Sequence, residues 1–298
     1  MSNVLWLLQM GLLYAVTLPI GIMPLRLALR VGSLIGLMGY FIWGSRREIA
    51  VDNISHAIRA GFIDNSVPAA ELIKEHFRNL GTSAAEIVKV YHGFGSKILD
   101  RIEVEGIDNY HRAREKGKGI LLITGHCGNW ELLALAVSCK VSPVGAVARP
   151  INNPYLNSLI EGVRKRYGNS VIYKKGALRA IISRLRKGGT VGILIDQSVL
   201  PAEGVVVEFL GRPARAIKSP SLIARKTGAP VVPVFIRRRD NGSHVVEIHP
   251  EVELSDSEDI EGAVLEDTKR FTSFVERYIV KNPAEWLWIH RRWKRGRD

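Results

Sequence analysis

Cysteine is nearly absent: Cys127 and Cys139 are the only two in 298 residues, and they stand in no paired spacing. That excludes a disulfide framework and a cysteine-built zinc site, and it fits a reducing, cytoplasm-facing setting. No Gly-x-Ser-x-Gly elbow occurs, so a serine hydrolase would lack its nucleophile. Gly117-Lys-Gly119 precedes an apolar strand-like run, whereas a dinucleotide fingerprint has to follow one. RNP-type aromatics, zinc-finger spacing and a stacking array of tryptophans are also missing. Acidic residues are in short supply, with 29 Asp and Glu against 42 Lys and Arg, giving a net charge of +13. The partner must therefore be anionic, and with nucleic-acid signatures lacking, an anionic lipid surface or an acidic protein remains.

Charge of either sign is missing from Val4 to Leu25, a run of 22 residues against the roughly 20 that span a bilayer. A second apolar stretch, Val31 to Trp43, is too short to span and is expected to lie on the membrane or in the core. No Lys or Arg precedes the first run, which disfavours a cleavable signal. Arg26, Arg30, Arg46 and Arg47 follow it and place the bulk of the chain in the cytoplasm by the positive-inside tendency. Pro19 and Pro24 favour the alternative of two buried amphipathic helices. Residues 1–45 are thus expected to form a membrane-contacting segment and 46–298 one α/β domain.

The remainder alternates apolar strand-like runs with helical patterns, which predicts an α/β fold with a mixed, mostly parallel sheet flanked by helices. Strands are expected from Gly119 to Thr124, Val144 to Ala148, Val191 to Ile195 and Gly228 to Ile236, the first strand of the sheet lying within Leu99 to Glu105. Helices are expected from Trp130 to Ser138, Tyr155 to Tyr167, Ala177 to Arg186 and Ser219 to Lys226. Asp240-Asn-Gly242 reads as a hairpin turn that adds an antiparallel strand, Val245 to Ile248.

Chemistry concentrates in Thr124-Gly-His126-Cys-Gly-Asn-Trp-Glu131. A histidine directly after an apolar strand stands at the carboxyl edge of the sheet, where open α/β folds bind ligands. Five residues along one helix would turn His126 and Glu131 apart by about 140°. They can meet only if His126 is in the loop and Glu131 on the following helix, with Gly128 making the bend and Asn129 as the N-cap. In that arrangement neutral His126 takes a proton from an attacking hydroxyl while Glu131 orients the ring. A lone histidine beside glycines is otherwise a structural residue.

These residues resemble the bacterial lipid A biosynthesis acyltransferases, within the wider lysophospholipid acyltransferases that carry a His, four residues, then an acid. Val147-Ala-Arg-Pro-Ile-Asn-Asn-Pro154, Ile195-Asp-Gln197, Gly228 to Phe235 and Glu285-Trp-Leu-Trp-Ile-His-Arg-Arg-Trp-Lys294 extend the resemblance over nearly the whole chain. It implies an acyl-carrier-protein thioester as donor and a hydroxyl of a lipid A precursor or related glycolipid as acceptor. It further implies catalytic His126 and Glu131, no metal or organic cofactor, and a place on the cytoplasmic face of the inner membrane. Candidate substrate contacts are Arg149, for phosphate or the developing oxyanion, with Asn129, Asp196, Gln197, His290 and Arg291. The glycerolipid enzymes' Pro-Glu-Gly-Thr-type phosphate motif is absent, its nearest likeness being Pro201-Ala-Glu-Gly204, so a glycerol-phosphate acceptor is disfavoured. Mannoside acyltransferases share the His-to-Glu pattern, and a non-catalytic basic lipid-binding protein is the alternative from another class. The plainer expectations are that Trp286 and Ile289 simply pack in the core, and that Arg237 to Arg239 and Lys294 to Arg297 are solvated charge.

Overall fold

The computed structural model describes residues 3–173, 176–294 and 296. Arg295 and Arg297, expected as solvated charge, lie outside the described residues. The chain opens with four helices, α1 (Asn3–Ile22), α2 (Leu25–Ile42), α3 (Gly44–Arg59) and α4 (Ala69–Tyr91), followed by a short α5 (Ser96–Asp100). Then come β1 (Glu103–Glu105), α6 (Ile107–Glu115), β2 (Ile120–Thr124), α7 (Trp130–Lys140), β3 (Val144–Ala148), α8 (Pro154–Arg166), β4 (Ser170–Tyr173), α9 (Ala177–Arg186) and β5 (Thr190–Leu194). A hairpin of β6 (Gly204–Phe209) and β7 (Arg212–Ile217), α10 (Ser219–Thr227), β8 (Val231–Arg238), β9 (His244–Ile248) and α11 (Ile260–Lys281) complete it.

Seven strands form one sheet in the order β1-β9-β8-β2-β5-β3-β4. Neighbours run parallel except β8 and β9, which the Asp240-Asn-Gly242 turn joins antiparallel. All five residues of β2 are buried, as its uninterrupted Ile-Leu-Leu-Ile-Thr run requires for a strand covered on both faces. Two apolar clusters cover those faces, one holding Leu121, Ile123 and Val191, the other Ile120, Leu122 and Val232.

The structure departs from the sequence reading at several points. Met23-Pro24 breaks the apolar run of residues 4–25, so α1 ends at Ile22 and α2 takes in both Leu25 and the second stretch. Pro24 lacks the N–H to continue a helix yet suits the start of the next. The boundary expected after residue 45 falls inside α3. Arg237, Arg238 and Arg239 are not solvated charge: they pair with Glu247, with buried Glu86, and with Glu103 and Glu105. β4, the β6–β7 hairpin and α11 were not anticipated. The hairpin turns on Leu210 and Gly211, both at positive φ (49° and 75°), the two-residue geometry that matches strand twist. Leu210 tolerates it because its N–H donates to Glu276 and its carbonyl faces His56 Nε2 at 3.0 Å.

Candidate active site

β2 and β5 are adjacent and parallel, with Thr124 opposite Leu194. Two residues beyond each strand end, the same register sets His126 beside Asp196. Asp196 Oδ1 accepts from His126 Nδ1 at 2.7 Å, and Oδ2 accepts from the His126 backbone N–H at 2.7 Å and from Trp286 Nε1 at 2.8 Å. An ionised carboxylate can only accept, so Nδ1 carries the ring proton and Nε2 presents its lone pair. The Gln197 amide lies 3.1 Å from Nε2. Burial works against a charged imidazole, but the charge and hydrogen bond of Asp196, then the charge of Glu131, outweigh it and raise the His126 pKa above the ordinary histidine value. Burial likewise opposes the Asp196 carboxylate, yet His126 and the Trp286 donor hold it well below the usual carboxylate range.

The loop carrying His126 is splinted by the segment that follows α11. Gly128 N–H donates to Glu285 O (2.9 Å), and Leu287 N–H donates to His126 O (3.1 Å). Gly128 sits at φ +56, where a Cβ would fall 2.1 Å from Ile236 O, so only glycine fits the bend. Asn129 caps α7 as expected, its Oδ1 accepting from Leu132 N–H. Its Nδ2 donates inward to Glu86 Oε2 (2.9 Å) and Ser83 O (3.2 Å). Burial opposes the Glu86 charge, but Arg238 and His244 bring its pKa down to about 2. Behind the His126 loop there is therefore a buried ion pair anchored to α4 and β8. Burial pushes the Cys127 thiol up, which leaves it a poor nucleophile.

His126 borders a cavity of about 880 Å³ walled by Ile87, Tyr91, Val147, Ile160, Ile181 and Ile193, with Arg149, Gln197 and Lys218 among its polar lining. This volume is within the roughly 300–1,000 Å³ of small-molecule sites. Glu131 lines it too, from the first turn of α7, but its carboxylate meets Arg164 Nη2 of α8 at 2.8 and 3.1 Å.

Among the predicted site residues, the structure brings His126, Glu131, Arg149 and Gln197 together at the cavity. It corrects the others. The ring's hydrogen-bond partner is Asp196, not Glu131, because parallel register sets Asp196 beside the imidazole while the Glu131 carboxylate, on α7, meets Arg164. Asp196 is itself buried with both oxygens occupied, which leaves no room for substrate. Asn129 is buried and turned to Glu86, away from the cavity. His290 and Arg291 do not line the cavity; the His290 carbonyl accepts from Asn53, and Arg291 is exposed. Trp286 packs in the core as expected, with 1% of its surface exposed, but its indole N–H also holds Asp196. Arg164 and Trp286 were missed as site residues. Asp196 had a readable signal, since it directly follows the apolar run Val191 to Ile195 as a lone charged residue at a strand end.

The description "Bacterial lipid A biosynthesis acyltransferase" belongs to the family whose model matches residues 3–295. A lipid A biosynthesis palmitoleoyltransferase of Escherichia coli (strain K12) is 27% identical over 268 residues, covering 89% of this chain and 84% of the relative. A lipid A biosynthesis lauroyltransferase of the same organism is 27% identical over 229 residues, 75% of this chain and 72% of the relative. A phosphatidylinositol mannoside acyltransferase of Mycolicibacterium smegmatis (strain ATCC 700084 / mc(2)155) is 25% identical over 201 residues, 66% of this chain and 64% of the relative. The chain belongs to the bacterial lipid A biosynthesis acyltransferase family. It is an enzyme, an acyltransferase.

Proposed function

We propose that the chain moves a fatty acyl group from an acyl-carrier-protein thioester to a hydroxyl of a lipid A precursor or related glycolipid. The acceptor hydroxyl displaces the Gln197 amide at His126 Nε2, gives its proton to that nitrogen, and its oxygen attacks the thioester carbonyl carbon. A tetrahedral oxyanion forms, and Arg149 supplies a cation for it at the cavity. The C–S bond then breaks, and the carrier thiolate recovers the proton from Nε2. Asp196 holds the ring and stabilises the imidazolium without itself taking a proton. Glu131 contributes the second negative charge near the ring and fixes Arg164 in the cavity wall. These residues carry out the step without a metal or organic cofactor.

The observation that carries this reading is the His126–Asp196 hydrogen bond of 2.7 Å at the edge of a largely apolar cavity of about 880 Å³. The basic balance of the chain suits both an acidic carrier protein and a phosphorylated glycolipid. The two apolar N-terminal helices, long enough to cross a bilayer, support association with the inner membrane, the catalytic residues facing the cytoplasm.

The test is transfer of labelled acyl chains from acyl-carrier-protein to a panel of a lipid A precursor, a phosphatidylinositol mannoside and a lysophospholipid. Wild type is compared with His126→Ala, Glu131→Ala and Asp196→Asn. Label on the lipid A precursor, lost in the variants, is the expected result. Transfer to the mannoside alone would move the acceptor class, and wild-type rates in His126→Ala would remove the base.

A further inference from the structure

α1 and α2 are long and apolar enough to cross a membrane, and their outer faces are bare. Leu8, Leu12 and Val16 of α1 are 63–67% exposed, and Leu34, Met38 and Phe41 of α2 are 58–63% exposed. Contiguous apolar surface of this kind marks a membrane or protein contact. Length alone leaves open whether the helices cross the bilayer or lie on it, and their attachments to the rest of the chain decide between the two.

α1 is fastened to the α/β body at both ends. Near its start, Trp6 O accepts from Asn153 Nδ2 at 2.9 Å, and Asn153 is the N-cap of α8, which lines the cavity. At its end, the carbonyls of Gly21 and Met23 accept from Lys89 Nζ at 2.7 and 2.6 Å, and Lys89, on α4, is only 5% exposed. Between these ties Thr17 Oγ1 lies 2.9 Å from His92 Nε2, and the Tyr14 ring lies 4.3 Å from the His92 ring. The ties at Trp6 and Gly21 are 15 residues apart, roughly 22 Å of helix axis, within a hydrocarbon layer about 30 Å thick. α2 is seated just as continuously. A Cβ on Gly32 would fall 2.6 Å from Gly81 O, and one on Gly36 would fall 2.1 Å from Phe77 O, so the two helices touch backbone to backbone. Farther along, the Tyr40 ring packs edge-on against Phe77.

We infer that α1 and α2 lie along the membrane surface on the side of the catalytic sheet and cross the bilayer neither singly nor as a hairpin. This rests on the membrane association proposed above. Crossing by α1 would pull α8, with Arg164, Lys165 and Arg166, into hydrocarbon or tear its cap from α1. A hairpin would carry the Met23-Pro24 turn to the far side, yet that turn is held by Lys89. Lying flat sinks the outer faces into the acyl boundary and leaves Arg26 and Arg30, exposed and without a carboxylate partner among the described residues, for anionic headgroups.

The experiment labels single cysteines with a membrane-impermeant maleimide, in inverted and in right-side-out vesicles of a bacterium expressing the full chain. Native Cys139, which is exposed, marks the side of the catalytic domain. In a Cys139→Ser background, Asn3→Cys and Ser45→Cys should label from that same side. Ile22→Cys should label from that side or, sunk in lipid, from neither. Labelling of Asn3→Cys from the opposite side would establish a crossing by α1, and labelling of Ile22→Cys from there would establish a hairpin; either overturns the inference. Recovery of the unmodified protein in the soluble fraction after lysis would instead overturn the membrane association beneath it.

Discussion

Two acid–base pairs stand at the cavity, His126–Asp196 and Arg164–Glu131, and they differ in kind. Asp196 lies behind the imidazole, buried, its two oxygens saturated by His126 and Trp286. Glu131 lies in front, with a side chain 37% exposed, and its charge meets Arg164. A carboxylate that is buried and fully hydrogen-bonded is a fixed electrostatic element that needs no reorganisation during the reaction. One at the cavity wall, paired to a partly exposed arginine, is screened more and is available to substrate groups. Under the proposed mechanism this geometry divides two jobs that a single dyad would have combined: orienting the base from behind, and setting charge where the reactants meet.

Removing the group both pairs surround should have the largest effect. His126→Ala should lower the transfer rate by roughly 10²–10⁴-fold, the usual worth of a general base, measured as kcat with saturating donor. Asp196→Asn comes next and tests the rear wall. It keeps the shape but admits the wrong tautomer, and the rate should fall by up to about 10⁴-fold. The pH profile should move with it. In the wild type the His126 pKa is raised, so activity should fall as pH drops through a value above the ordinary histidine range, where Nε2 becomes protonated. Without the Asp196 charge burial dominates, and this acid limb should shift to lower pH.

Glu131→Gln tests the front wall. Its charge acts on the ring less than that of Asp196, so the acid limb should shift down by less, with a rate loss of roughly 10-fold seen more in KM than in kcat. A Glu131→Gln loss equal to that of Asp196→Asn would make Glu131 the operative partner and invert the comparison. The smallest effect belongs to Trp286. Replacing it with the benzothienyl analogue, which keeps the shape but lacks the N–H, should lower kcat a few-fold with KM unchanged. The lost donor should also destabilise the fold by about 1–3 kcal/mol, read from thermal unfolding. An unchanged kcat would reduce Trp286 to packing.

Local pattern was enough for much of this molecule. The Ile-Leu-Leu-Ile run, the Asn129 cap, helix α9 and the Asp240-Asn-Gly242 turn depend on periodicity and turn chemistry within a few residues, and they stand where the sequence puts them. So does the placement of His126 in a loop at a strand end with Glu131 on the helix beyond. What the chain alone could not decide were contacts between distant segments. His126 is 70 residues from Asp196, and Asp196 is 90 residues from Trp286. The Glu86–Arg238 pair behind the loop is 152 residues apart. None of these is encoded by spacing, because each depends on which strands become neighbours and in what register. The same holds for residues 3–42. Composition marked them as apolar enough for a membrane, whereas Asn153, Lys89 and the glycines facing Gly81 determine how they lie against the body, since orientation is set by tertiary attachments that hydropathy does not contain.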